Sequence, residues 1–185
     1  MNERIKALIR PMIIIASAIF AVCCLIKKPQ TIDDFSSHIS YAVSGVCILF
    51  VLYERVLWKQ IPWNRPPILK KEYKGLINYK YNDECVSKAI RIIVKQSWLS
   101  VNIKTATDIN SSHTVTGTIL AEHGTSVLYY TYITNPSAVS QRENPIQYGT
   151  CRMIIDGDND SNITGRYWTS SRTVGDIEWH AVADN

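Results

Sequence analysis

Gly165–Ile177 reads G-R-Y-W-T-S-S-R-T-V-G-D-I. Two short β-favouring runs flank a polar middle, the pattern of two strands and the turn between them. Within it, residues 166–173 carry two guanidinium groups (Arg166, Arg172), two aromatic rings (Tyr167, Trp168) and four hydroxyls. Such a mixture can hold a flat, anionic small molecule. On a strand, side chains alternate between faces. Arg166, Trp168, Ser170 and Arg172 share one side, Tyr167, Thr169, Ser171 and Thr173 the other, and only one set can point inward.

The same period of two extends upstream from there. From Glu72 onward, Leu76–Tyr81, Leu99–Lys104, Val115–Ala121, Val127–Thr134, Tyr148–Ile155, Ile163–Ser170 and Asp176–Ala183 read as strands. Ile90, Ile92 and Val94 alternate with Arg91 and Lys95, although Ser87–Ser97 also admits a partly helical reading. Turn signals are His123-Gly124, Asn135-Pro136, Asp156-Gly157 and Val174-Gly175. Short strands at this spacing define a sandwich or barrel, and about eight of them close into a barrel wide enough for packed side chains or one small ligand. The expectation is an all-β domain over residues 70–185, a minimal antiparallel barrel.

The N-terminal third is different. Leu8–Ile26 is interrupted only by Arg10 and Pro11, and Ile39–Tyr53 is uncharged. Nineteen residues at about 1.5 Å each approach the hydrocarbon thickness of a bilayer. Pro11 suits a first helical turn, and Ser36 or Ser37 could cap the second helix. Lys27-Lys28-Pro29 is a poor cleavage site, so a signal peptide is disfavoured. We expect a membrane hairpin within residues 1–60, its helices about 8–26 and 39–58, with Tyr53, Trp58 and Trp63 as an interfacial belt. The Pro-rich segment 61–69 is the linker. Basic residues before the first span and after the second place both termini in the cytoplasm and the loop between in the periplasm.

Charge narrows the function. The net +4 arises in residues 1–69, with eight Lys/Arg and four Asp/Glu; residues 70–185 hold twelve of each. A neutral domain lacks the footprint of a DNA or RNA polymer binder. Five cysteines without C-x-x-C spacing argue against a disulfide framework or zinc site. Asp156, Asp158 and Asp160 resemble a calcium loop, but the sixth and twelfth positions are Ser161 and Tyr167, so a solvated turn is the better reading. The four histidines are scattered, and no catalytic motif is present. No metal, cofactor or catalytic residue is expected. Tyr81, Trp98, Tyr130 and Trp168 are candidates to stack on bases. Arg152 and Arg172 are candidates to meet phosphates, with Thr169 and Thr173 as hydrogen-bond donors.

Several strings carry a resemblance. They are Ile93–Trp98, Thr105-Ala106-Thr107 followed by Ser111-Ser112, Leu128-Tyr129-Tyr130, Tyr148-Gly149-Thr150, and G-x-Y-W-T followed by R-T-x-G-x-I. Over essentially the whole chain the sequence resembles the two-transmembrane, β-strand-rich effectors of bacterial cyclic-oligonucleotide-based antiphage signalling (CBASS). The resemblance implies a non-enzymatic receptor in the inner membrane. A partner CD-NTase would supply a cyclic dinucleotide, the cytosolic barrel would bind it, and self-association would disrupt the bilayer and kill or arrest the infected cell. One rival is a structural adaptor, which predicts a filled barrel with no cavity; the other is a membrane-anchored barrel for a lipid or other apolar ligand. It predicts a cavity of Val, Ile and Leu with the arginines outside.

Overall fold

The computed structural model describes residues 3–61, 66–81, 84–107, 110–136, 145–156 and 161–182. It divides into two compact units, residues 1–65 and 66–185.

In the first unit, α1 (Glu3–Ile26) and α2 (Ile32–Arg55) are followed by a 3-10 turn, Leu57–Lys59. Both helices are long and apolar enough to cross a membrane. They pack as an antiparallel pair: Phe20 meets Phe35 edge-on at 5.4 Å, and Gly45 lies against Ile19. His38 is 5% exposed, with its Nδ1 3.7 Å from the Cys24 Sγ. Two expectations need correction. Pro11 lies inside α1, not in its first turn. The cap of α2 is Thr31, not Ser36 or Ser37, so this helix starts seven residues early. Thr31 and Asp34 form a reciprocal capping box, and Asp33 and Asp34 bring negative charge to the helix N-terminus. Trp58 is buried, and Trp63 lies, with the rest of residues 62–65 of the Pro-rich linker, outside the described residues.

The second unit is a closed barrel of eight antiparallel strands, each paired with its sequence neighbours and β1 with β8. They are β1 (Glu72–Tyr81), β2 (Glu84–Gln96), β3 (Val101–Ala106), β4 (Asn110–Glu122), β5 (Thr125–Pro136), β6 (Gln147–Ile155), β7 (Asn162–Thr169) and β8 (Val174–Ala181). The ambiguous Ser87–Ser97 segment is strand through Gln96. His123 (φ 48°) and Gly124 (φ 83°) make the tight β4–β5 turn, whose two positive φ values match the twist of the strands. Val174-Gly175, read as a turn, belongs to β8; the chain reverses over Thr169–Thr173 instead.

The interior has two zones. One end is solid: Ile92, Val94, Ile103, Leu128, Met153, Ile155, Ile163 and Trp179 form a buried core. Leu69, just before β1, packs into the same core, and its backbone N–H donates to the Gln96 side chain at 2.9 Å. A file of rings climbs from this end: Tyr73 to Trp179 (5.6 Å), Trp179 to Tyr130 (6.0 Å), Tyr130 to Tyr132 (5.9 Å). Above Tyr130 the strands carry hydroxyls instead of aliphatic side chains, and the barrel opens into a mouth.

A hydroxyl-lined mouth and its inward lysine

The mouth is a cavity of about 730 Å³, within the range of small-ligand sites, about 300–1,000 Å³. Its floor is aromatic: Tyr79, Tyr130, Tyr132 and Tyr167 line it with Cys151. Two glycines make room for the rings. Gly149 lies directly across from Tyr132 and Gly175 from Tyr167. A Cβ on Gly175 would stand 2.6 Å from the Tyr167 ring and 2.5 Å from the Asn78 carbonyl oxygen; one on Gly149 would overlap the Tyr132 ring.

The walls are hydroxylic. Thr105, Ser112, Thr134, Thr169, Ser171 and Thr173 face the cavity with the amides of Asn110 and Gln147. One lip is pre-organised. Ser171 Oγ donates to Gln147 Oε1 at 2.8 Å and lies 2.9 Å from Thr169 Oγ1, which accepts from the Thr173 backbone N–H at 3.2 Å. On the opposite wall the hydroxyls of Thr105 and Ser112 share a short hydrogen bond.

The electrostatics follow from burial. Desolvation raises the phenols of Tyr130, Tyr132 and Tyr167, and pushes the Cys151 thiol up to about 12. These groups are therefore neutral at physiological pH. Among the described lining residues Lys88 is the one charged side chain, with its Nζ 5.7 Å from the centre of the Tyr79 ring. Every other described Lys or Arg on the strands has outward parity.

The structure divides the eight residues singled out from sequence. Tyr130, Thr169 and Thr173 line the mouth. Arg172 stands at its rim in the β7–β8 turn, at φ 64°. Parity is resolved in favour of Tyr167, Thr169, Ser171 and Thr173, which point inward, so Trp168 faces outward. Arg152 also faces outward. Its guanidinium donates to Tyr129 Oη at 2.8 Å and to Glu122 Oε2 at 2.9 Å on the outer face, where strand parity places it. Trp98 is 1% exposed in the β2–β3 turn, at the end away from the mouth. Tyr81 ends β1 at the mouth end, but its side chain lies outside the described residues. Asp158 and Asp160 lie outside them too; among the described residues no three His, Cys, Asp or Glu gather as a metal site.

Sequence reasoning missed Lys88. Val86, Lys88, Ile90, Ile92 and Val94 occupy alternate positions, and extending that alternation toward residue 84 would have found it.

Barrel and mouth define a small-molecule receptor domain, carried on a chain with two helices of membrane-spanning length. Residues 65–181 match a family described as Cap15, cyclic dinucleotide receptor domain. The chain is 35% identical over 187 residues to the CD-NTase-associated protein 15 of Staphylococcus schleiferi, covering 96% of this chain and 97% of that one. It belongs to the Cap15 family of cyclic dinucleotide receptor domains.

Proposed function

We propose that the mouth binds a cyclic dinucleotide made by a partner CD-NTase, and that the chain is a receptor and effector without catalytic activity. The observation that carries this is the inward Lys88 above a floor of four tyrosines. Rings can stack on bases, and hydroxyls and amides can bond to riboses and base edges. Lys88 supplies a cation for one phosphate. Arg172 serves the other from the rim: a non-glycine residue held at positive φ is strained, and strain of this kind concentrates at ligand sites. The family match and the CD-NTase-associated relative support the ligand class.

The apolar-ligand rival meets half of its own forecast, since Arg152 and Arg166 are outside. On the lining it is the weaker fit: Ile77, Val86, Ile90 and Ile177 face the mouth, but phenols, hydroxyls and amides outnumber them.

In this reading the domain following the linker is cytosolic, both termini lie in the cytoplasm, and the helices span the bacterial inner membrane as a hairpin. Ligand binding drives self-association, which gathers helix pairs and breaches the bilayer; two helices are too few to form a pore alone. A thermal-shift screen of the full chain in detergent against cyclic di- and trinucleotides tests the proposal. A binder raises the midpoint by mass action, about 2.7 kcal/mol of stabilisation at a hundredfold excess over Kd. No shift with any member of the panel would refute it.

A further inference from the structure

The near-zero charge of the barrel conceals an asymmetry. On β7 and β8, the outward-facing Arg166 is ion-paired with Asp176 at 3.2 Å and Glu178 lies close by. Around β1–β3, which adjoin β8, the balance is different. Lys70, Lys71, Lys74, Arg91, Lys95 and Lys104 are all exposed. The ladder gathers them: Lys74 is opposite Arg91, Ile93 is opposite Lys104, and Lys95 is opposite Asn102. Glu72 is the one carboxylate among the described outward residues of this wall, and Arg91 already binds it at 2.7 Å. Glu178 on β8 borders the wall across from Leu76, and His113 on β4 across from Lys104. Lys95 and Lys104 form no ion pair among the described residues.

A groove of about 630 Å³ runs along this wall, lined by Arg91, Ile93, Asn102, Lys104 and His113. It offers cationic and hydrogen-bonding side chains beside the exposed Ile93. That is the chemistry of a phosphodiester headgroup seat with an apolar contact next to it.

We propose that this wall docks on an anionic bilayer surface, with lipid headgroup phosphates in the groove. Charge complementarity and placement both favour that occupant. Lys70, Lys71, Lys74 and Lys95 lie toward the solid end of the barrel, from which β1 starts, Arg91 and Lys104 lie nearer its middle, and only residues 56–71 separate β1 from the end of α2. With the helices in a bilayer, as proposed above, a connection of this length keeps the barrel in the neighbourhood of that bilayer. A nucleic-acid strand is the weaker fit, because the described outward side chains of β1–β3 include no aromatic ring on which a base could stack.

Lysine footprinting tests this on the full chain, with no cyclic dinucleotide added. The protein is placed in nanodiscs of phosphatidylcholine alone, or of phosphatidylcholine with about one-third phosphatidylglycerol. It is then acetylated with acetic anhydride, and each lysine is read by mass spectrometry. The expected result is about tenfold protection of Lys74, Lys95 and Lys104 in the anionic discs only, lost at about 1 M salt, where the screening length is about 3 Å. Lys80 and Lys88, toward the mouth, serve as controls and stay unchanged. Equal labelling in the two lipids overturns the proposal. So does protection by an added short RNA in neutral discs with none from anionic lipid. None of these outcomes depends on whether the mouth binds a cyclic dinucleotide.

Discussion

Arg172 and Arg152 were both candidates to meet phosphates, and their settings separate them. Arg172 sits at φ 64° in an exposed turn, where a glycine would be unstrained. Replacing it by Gly should leave the thermal midpoint unchanged or raise it, by up to about 1 kcal/mol of relieved strain. It should also weaken cyclic dinucleotide binding about tenfold, the size of one charge-assisted hydrogen bond. Arg152→Gln should do the reverse, lowering the midpoint while calorimetry finds ligand affinity unchanged. Glu122 gives the pH dependence. Hydrogen bonds from Tyr129 and from Arg152 hold its carboxyl below the ordinary value. The unfolded chain therefore takes up this proton at higher pH than the folded one. The stabilisation is complete above the unfolded value and is lost as pH falls through the folded value. The midpoint gap between wild type and Glu122→Gln should be present at about pH 7 and close on acidification to about pH 3, read by thermal scans.

Among the elements, β7 and β8 show how a strand pair builds a floor. Gly175 lets the Tyr167 ring lie across β8, and the backbone of Asn78 closes the other side. A methyl there cannot be absorbed by a flexible side chain. Gly175→Ala should cost about 1–3 kcal/mol in thermal or urea unfolding and displace Tyr167 from the mouth. The capping box of α2 offers a milder test: Thr31→Ala should destabilise that helix by about 1 kcal/mol, seen as loss of helical signal at a lower temperature. The elements also explain what could be read from sequence. The solid end alternates apolar and polar, because there one face meets a core and the other water; Ile90, Ile92 and Val94 are legible for that reason. The mouth half does not alternate. In β2 nearly all of Glu84–Ala89 is exposed on both faces, since the inner face borders an open cavity. Lys88 is hidden there, and the first residues of β4, Asn110–Thr114, escape the alternation for the same reason. The start of α2 is not legible because its first turn is polar, and apolar density alone marks the helix only from Ile39.

For the whole molecule, composition revealed the two-part plan and concealed the charge layout. Apolar density marks the two helices, and period-two alternation marks the barrel. Counting charges over residues 70–185 gives zero, yet pairing of the strands places exposed cations on β1–β3 and opposed charges on β7–β8. The same closure that hides strand edges also leaves one end open, and what that opening holds decides the function. The most direct measurement is calorimetric titration of the full chain in detergent with the cyclic dinucleotide that most raises its midpoint, alongside Lys88→Glu. Our account predicts saturable binding at one ligand per barrel for wild type. It predicts a loss of at least about a hundredfold for the variant, whose reversed charge would face a phosphate, with the variant's unfolding midpoint preserved. A stably folded Lys88→Glu that binds as tightly as wild type would contradict it.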